Sequence, residues 1–168
     1  MRAILPLVLL TSLLLNACGF HLRGQEEFAF TFQSLHMLSP NEYTPFVGEL
    51  QRALKAAGVQ LTDAPDQAQL TLQIVSETTG KQILSLSSAG RVLEYQLRYA
   101  VSFHAYDALQ QEWLTPQEIV LVRNLSYDDT QVLAKEQEEV LLYQNMHSDA
   151  VQQMLRRLNQ AKPPLTTP

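Results

Sequence analysis

The segment Leu-Glu-Tyr-Gln-Leu-Arg-Tyr-Ala-Val-Ser-Phe-His-Ala, residues 93–105, carries the clearest pattern in the chain. Its odd-numbered positions form an apolar and aromatic face: Leu93, Tyr95, Leu97, Tyr99, Val101, Phe103 and Ala105. Most of its even-numbered positions are polar. This period of two predicts a long antiparallel strand with one buried face and one exposed face.

The sequence on either side predicts partners for this strand. Residues 70–86 begin with the same alternation, and we expect one strand here with an irregularity at Thr79–Gly80. Residues 87–90, Ser-Ser-Ala-Gly, have the composition of a tight turn. Residues 112–126 predict a further strand, and Pro116 within it predicts a sheet edge or a bulge.

Two amphipathic helices flank these strands. The first is predicted to begin at Thr44–Pro45, where Thr caps free N–H groups, and to end at Gly58. The second follows the acidic cap Asp128–Thr130. Its predicted buried stripe is Leu133, Val140, Val151, Met154, Leu155 and Leu158. Each helix therefore has one face that must pack against another layer.

These elements predict an α+β fold, a two-layer sandwich in which two helices pack on one face of a roughly four-stranded mixed sheet. Residues 34–38 supply the fourth strand. The domain is expected to span residues 28–161, followed by a disordered, proline-rich tail at 162–168. No element is left to cover the other sheet face.

The N-terminus predicts export and lipidation. Residues 1–17 have a positive start and an apolar run typical of a signal peptide, and Leu15–Cys18 resembles a bacterial lipobox. We expect lipid attachment at Cys18, with residues 18–27 as a lipidated tether. Gly19 in place of Asp, by similarity to bacterial lipoproteins, implies the outer membrane. The alternatives are an ordinary signal peptide followed by a chance cysteine, and a retained membrane helix.

Composition argues against several classes of protein. The net charge of −5 disfavours nucleic-acid binding, which needs a basic surface. A single cysteine excludes an intrachain disulfide framework and a Cys-rich zinc site. The four histidines lack metal-ligand spacing, and the chain has no nucleotide-binding loop or hydrolase motif. We therefore expect no catalytic residues, metal or cofactor.

Three blocks of sequence resemble the LPS-assembly lipoprotein family, LptE. They are Cys-Gly-Phe-His-Leu-Arg at 18–23, Gly-Arg-Val-Leu-Glu-Tyr-Gln-Leu at 90–97, and scattered matches between Asp128 and Leu158. The resemblance implies a non-enzymatic subunit of an outer-membrane translocon. Such a subunit sits as a plug inside a large β-barrel of the LptD type, assists barrel assembly and binds lipopolysaccharide.

The resemblance also implies candidate contact residues. Arg91, directly after the turn, and Lys135, near the start of the last helix, are candidates for binding lipopolysaccharide phosphates. The alternatives are that Arg91 only solvates the turn and that Lys135 pairs with a nearby glutamate, Glu138 or Glu139.

A second candidate surface lies on the last helix. Leu142 and Met146 are four residues apart and nearly opposite the predicted stripe. We expect them to contact the barrel, although isolated surface apolar residues are also common.

Three hypotheses of function follow, from different classes. The first is a barrel plug that binds lipopolysaccharide, and the second is a structural chaperone of the barrel without a ligand site. The third is an anchored enzyme with a dispersed active site. Copurification with a barrel separates the third from the others, and direct lipopolysaccharide binding separates the first from the second.

The lipobox leads to a prediction at Cys18. The wild-type mature N-terminus should carry a diacylglyceryl thioether and an acylated amine, whereas Cys18→Ala should give an unanchored or poorly processed chain. Mass spectrometry of the N-terminal peptide measures this directly. An unmodified wild-type Cys18 would contradict the lipobox assignment.

Overall fold

A computed structural model of the protein describes residues 28–163. The predicted signal peptide (1–17), the predicted tether (18–27) and residues 164–168 of the predicted tail lie outside the described residues. In chain order the elements are β1 Ser34–Leu38, α1 Pro45–Ala56, β2 Gln60–Thr62, β3 Leu70–Leu86, β4 Val92–Tyr106, β5 Glu112–Ser126 and α2 Val132–Gln160. Short 3₁₀ turns precede β3 and α2.

The strands form a mixed sheet in the order β2-β1-β3-β4-β5. β1 pairs in parallel with β2 and β3, while β3–β4 and β4–β5 are antiparallel. The predicted α+β sandwich is confirmed, but the described sheet has five strands rather than four. The additional strand, β2, is only three residues long, too short to show a period of two.

Local sequence signals place α1 as expected. The Thr44 hydroxyl accepts a hydrogen bond from Val47 N at 3.2 Å, and Pro45 occupies the first helical position, where no donor is needed. Gly58 has φ of 84°, a left-handed conformation that favours glycine after a helix. The predicted limits of this helix are therefore confirmed.

The long strands contain bulges at other positions than expected. The β3–β4 register shifts between Ile74 and Ser76 and again between Ile83 and Ser85, so the predicted irregularity at Thr79–Gly80 is wrong. On β5 one shift lies between Leu114 and Gln117, around Pro116, and a second lies between Glu112 and Leu114. Proline cannot donate to a ladder, and here it sits both on an edge strand and at a bulge.

The core lies between the two helices and one face of the sheet. On β4, Leu97, Tyr99, Val101 and Phe103 are fully buried, and α1 contributes Phe46, Val47, Leu50 and Leu54. Further buried side chains come from β3 and from the C-terminal half of α2. Each large apolar side chain buried here stabilises the fold by about 1.5–3 kcal/mol, so this layer dominates folding.

The predicted stripe of α2 is only half correct. Val151, Met154, Leu155 and Leu158 are buried, but Leu133 and Val140 are 76% and 55% exposed. The cause is the difference in length between the helices: α1 has 12 residues and α2 has 29, so α1 cannot cover the whole stripe. The N-terminal half of the stripe has no partner among the described residues.

A polar network joins the two layers beside this core. Glu77 on β3 accepts hydrogen bonds from the Tyr99 hydroxyl at 3.0 Å and from the Thr44 hydroxyl, the cap of α1, at 2.7 Å. The edge of the His147 ring from α2 contacts the Tyr99 ring, with centroids 4.7 Å apart. Burial, helped by Glu77, raises the pKa of Tyr99, which therefore stays protonated as the donor.

The core assignment predicts unequal effects for two positions on α2. Met146→Ala should lower the free energy of unfolding by about 2–4 kcal/mol, because it empties a fully buried site. The control Val140→Ala should change it by less than about 0.5 kcal/mol, because that side chain faces water. Urea denaturation of both variants tests this, and equal losses would contradict the placement of α2.

The network predicts an acid-sensitive stability. Both ring nitrogens of His147 are buried without a hydrogen-bond partner among the described residues. Burial lowers the pKa of His147 below 6.5, and Glu77 and Glu49 only partly oppose this. As pH falls, His147 is protonated in the unfolded chain before it is protonated in the folded one. Above about pH 6.5 it therefore leaves the free energy of unfolding unchanged, and below about pH 6.5 it lowers it.

The matching experiment compares wild type with His147→Phe, which keeps a ring against Tyr99 but cannot titrate. Urea midpoints measured between about pH 7.5 and pH 5.5 should fall more for wild type than for the variant. Parallel pH profiles would show that His147 does not contribute to the acid sensitivity.

Candidate functional site

The β3–β4 turn holds Arg91 at one end of the sheet. Gly90 has φ of 76°, Gly90 N donates to Ser87 O at 2.9 Å, and Arg91 N donates to the Ser87 hydroxyl at 3.1 Å. Ser87 therefore holds the turn through both its carbonyl and its hydroxyl. The Arg91 residue that follows is exposed. Its predicted position at a sheet tip is confirmed.

Asp128 lies where β5 leads into α2. Its carboxylate accepts hydrogen bonds from Thr130 N at 2.9 Å and from the Thr130 hydroxyl at 2.8 Å, as expected of a helix-entry cap. The backbone hydrogen bond from Thr130 is the main cause that lowers the pKa of Asp128, and the charges of Lys135 and Arg91 act in the same direction. Both cations therefore lie within electrostatic range of one carboxylate.

Lys135 is held more firmly than Arg91. Its Nζ donates to Ser126 Oγ at 3.0 Å and to Glu138 Oε2 at 2.8 Å, and its side chain is only 16% exposed. Lys135 therefore forms the ion pair with Glu138 that was expected if it has only a structural role. The other candidate partner, Glu139, forms an ion pair with Lys81 instead.

These residues define the hairpin-end site: Arg91, Ser126, Asp128 and Lys135. Exposed apolar side chains on the same hairpin lie beside it, namely Ile83, Leu84, Leu86 and Leu93. The combination of two cations, one of them held by hydrogen bonds, with nearby apolar surface is amphiphilic. Such a surface suits a ligand that carries both anionic groups and hydrocarbon.

The uncovered part of α2 forms a second feature, the α2 apolar strip, consisting of Leu133, Val140 and Leu141. These side chains, with Glu136 and Gln137, line an open depression of about 490 Å³. The sequence contained this signal, because the apolar stripe runs well past the length that α1 could cover. Exposed apolar surface of this kind is typical of a protein contact.

The predicted partner contact at Met146 is wrong in this structure, because the side chain is 0% exposed and belongs to the core. Leu142 is partly buried and packs against the same core. Both residues lie on the sheet-facing side of α2. Over the N-terminal half of the helix, the residues predicted to be buried, Leu133 and Val140, are exposed. The pair predicted to be exposed, Leu142 and Met146, packs against the core.

The structure also describes the environment of three histidines. His36 Nδ1 is 3.0 Å from Thr62 O, and His104 Nε2 is 3.1 Å from Gln73 Oε1, while His147 belongs to the polar network described above. Within residues 28–163 no group of three or more His, Cys, Asp or Glu could hold a metal ion. In the same range, no helix is long and apolar enough to cross a membrane.

Comparison with solved structures finds this fold in bacterial lipoproteins. The chain is similar to a lipoprotein B of Nitrosomonas europaea, with a TM-score of 0.72 and 37% identity, covering 84% of this chain and 90% of the other. It is also similar to the rare lipoprotein B of Shewanella oneidensis, with a TM-score of 0.65 and 27% identity over 73% and 91% of the two chains. The fold is that of a lipoprotein domain.

Sequence comparison identifies the particular family. The family model described as LptE, lipopolysaccharide-assembly, matches residues 32–158. A relative in Pectobacterium atrosepticum, called LPS-assembly lipoprotein LptE, is 27% identical over 90% of this chain and 83% of its own length. The chain belongs to the LptE family, as the sequence blocks predicted.

Proposed function

We propose that this protein is the lipid-anchored plug of an outer-membrane β-barrel translocon and that it binds lipopolysaccharide at the hairpin-end site. The observation that carries the ligand part is that Arg91, at the exposed turn, and Lys135 both lie within electrostatic range of Asp128, on a hairpin with exposed apolar side chains. Membership of a lipopolysaccharide-assembly family supports the ligand class. The tether at Cys18 supplies the membrane anchor in this proposal.

The chemistry of the ligand suits this site. With a net charge of −5, the chain cannot attract an anionic glycolipid over long distances, so recognition must be local. Arg91 is exposed and offers a planar fork to a phosphate. Lys135 already donates to Ser126 and Glu138, which holds its positive charge in place and leaves one of its three N–H donors for a phosphate. The apolar side chains of the hairpin face the acyl chains.

The α2 apolar strip supports enclosure by a partner. Leu133, Val140 and Leu141 are exposed on one helix, and only 17% of the chain is charged. A domain surrounded by another protein has less need of a charged surface than one surrounded by water. In this proposal the barrel wall contacts α2 through the α2 apolar strip, and not through Leu142 and Met146.

A second candidate function is a structural chaperone of the barrel without a ligand site. The observation that favours it is the internal pairing of Lys135, which accounts for one of the two cations without any ligand. Both functions are non-enzymatic. They differ in whether the purified protein binds lipopolysaccharide.

The first prediction of this proposal concerns ligand affinity. Arg91→Asp combined with Lys135→Asp should weaken lipopolysaccharide binding at least about tenfold, because charge-assisted contacts contribute about 1.5–3 kcal/mol. Titration of the full mature chain at moderate salt measures this, with unfolding by urea as the folding control. Unchanged affinity in the folded double variant would favour the chaperone function.

The second prediction concerns the partner. Leu133→Glu with Val140→Glu should leave the free energy of unfolding nearly unchanged, because both side chains are exposed. The same variant should copurify with the barrel less than wild type does, because it puts charges into an apolar contact. The matched control places Glu at Gln144 and Gln152, exposed positions on the same helix. Undiminished copurification of the strip variant would remove α2 from the interface.

A further inference from the structure

The sheet has a second face, which the helices do not cover. The cross-strand register aligns its side chains in rows across β3, β4 and β5. The rows are Ser76–Ser102–Glu118, Thr78–Ala100–Val120, Gly80–Arg98–Val122, Gln82–Gln96–Asn124 and Ser85–Glu94–Ser126. This surface, the outer sheet face, is rich in hydroxyl and amide groups.

Three carboxamides stand side by side in one row. Gln82 Nε2 donates to Gln96 Oε1 at 2.7 Å, and Asn124 follows on β5. Each carboxamide offers one acceptor oxygen and two N–H donors in a plane. With strands about 4.8 Å apart, the row extends about 10 Å across the sheet. A fixed array of donors and acceptors of this kind matches a ligand whose neighbouring hydroxyls both donate and accept.

The rows of the outer sheet face described above carry only three charged side chains, Glu94, Arg98 and Glu118. Arg98 and Glu118 lie 3.8 Å apart as an ion pair, and Glu94 accepts a hydrogen bond from the Ser85 hydroxyl at 3.1 Å. In the middle of the face, Gly80 and Ala100 are small, while Val120 and Val122 on β5 are 44% and 41% exposed. The surface is therefore polar apart from these two valines and carries few charges, which disfavours a strongly charged partner and suits a neutral, hydroxyl-rich one.

The outer sheet face is continuous with the hairpin-end site. Ser126, the last residue of β5, stands in the row of Ser85 and Glu94, and its hydroxyl accepts the hydrogen bond from Lys135 Nζ. The carboxamide row of Gln82 and Asn124 comes next along the sheet. A ligand held by its phosphates at the hairpin end therefore reaches the carboxamide row directly after the Ser85–Glu94–Ser126 row if it extends over the outer face.

We infer that the outer sheet face binds the saccharide part of the glycolipid, with the Gln82–Gln96–Asn124 row as the principal contact. This inference rests on the proposed lipopolysaccharide-binding function and adds a second subsite to it. The hairpin-end site holds phosphate and acyl chains, and the carboxamide row holds sugar hydroxyls. The competing occupant is the polar inner wall of the barrel.

The test uses the full mature chain and two probes, lipid A and a lipopolysaccharide that also carries its core oligosaccharide. Gln82→Ala with Gln96→Ala and Asn124→Ala should weaken binding of the core-bearing probe about three- to tenfold and leave lipid A binding unchanged. The matched control, Gln144→Ala with Asn145→Ala and Gln152→Ala, removes exposed carboxamides from α2. It should change neither affinity.

A third probe separates this inference from the proposed function. Core oligosaccharide released from its acyl chains should shift the side-chain amide NMR signals of Gln82, Gln96 and Asn124 in the wild-type chain. If the chain binds neither lipid A nor lipopolysaccharide but the oligosaccharide still shifts these signals, the proposed site at Arg91 fails while the saccharide subsite stands. Absent shifts, or equal effects on both glycolipid probes, would overturn the inference.

Loss of barrel copurification in the outer-face variant, with unchanged affinity for the core-bearing probe, would also overturn it. That result would assign the outer sheet face to the barrel wall.

Discussion

The packing of one face of β4 against both helices is the constraint on which the rest of the structure depends. Leu97, Tyr99, Val101 and Phe103 are fully buried on this face, and β4 pairs along its length with β3 and β5. Because alternate residues of a strand point to opposite sides, burial of this face fixes which side chains of all three strands remain exposed. The hairpin end and the outer sheet face both follow from it.

Much of this fold could be predicted from sequence because its signals are local. The alternation in β4, the Thr44–Pro45 start of α1 and the glycine that follows α1 depend only on neighbouring residues. β2 was missed because three residues show no period and because its pairing with β1 is a tertiary contact. A helical pattern shows which residues of α2 share a side, but not where α1 stops covering them, which is why Val140 was misplaced.

The candidate site could be predicted only in part, for a related reason. Sequence blocks selected Arg91 and Lys135, and the turn before Arg91 placed it at a tip. Their approach to the same carboxylate, Asp128, depends on how β5 returns beside the hairpin, which no local pattern encodes. The carboxamide row likewise arises from strand register rather than from spacing along the chain, and the hydrogen bond from Lys135 to Ser126 depends on how the chain turns from β5 into α2.

The length of α2 has a consequence for how far the molecule reaches. A helix of 29 residues rises about 43 Å, close to the thickness of about 40–45 Å for a bilayer with its headgroups. The C-terminal end of α2 lies near the start of the described chain, because the Thr31 hydroxyl donates to Ala161 O. Its N-terminal end lies beside the β3–β4 hairpin, where Lys135 donates to Ser126. Thr31 and the hairpin-end site therefore lie at opposite ends of α2, separated by about the full rise of the helix.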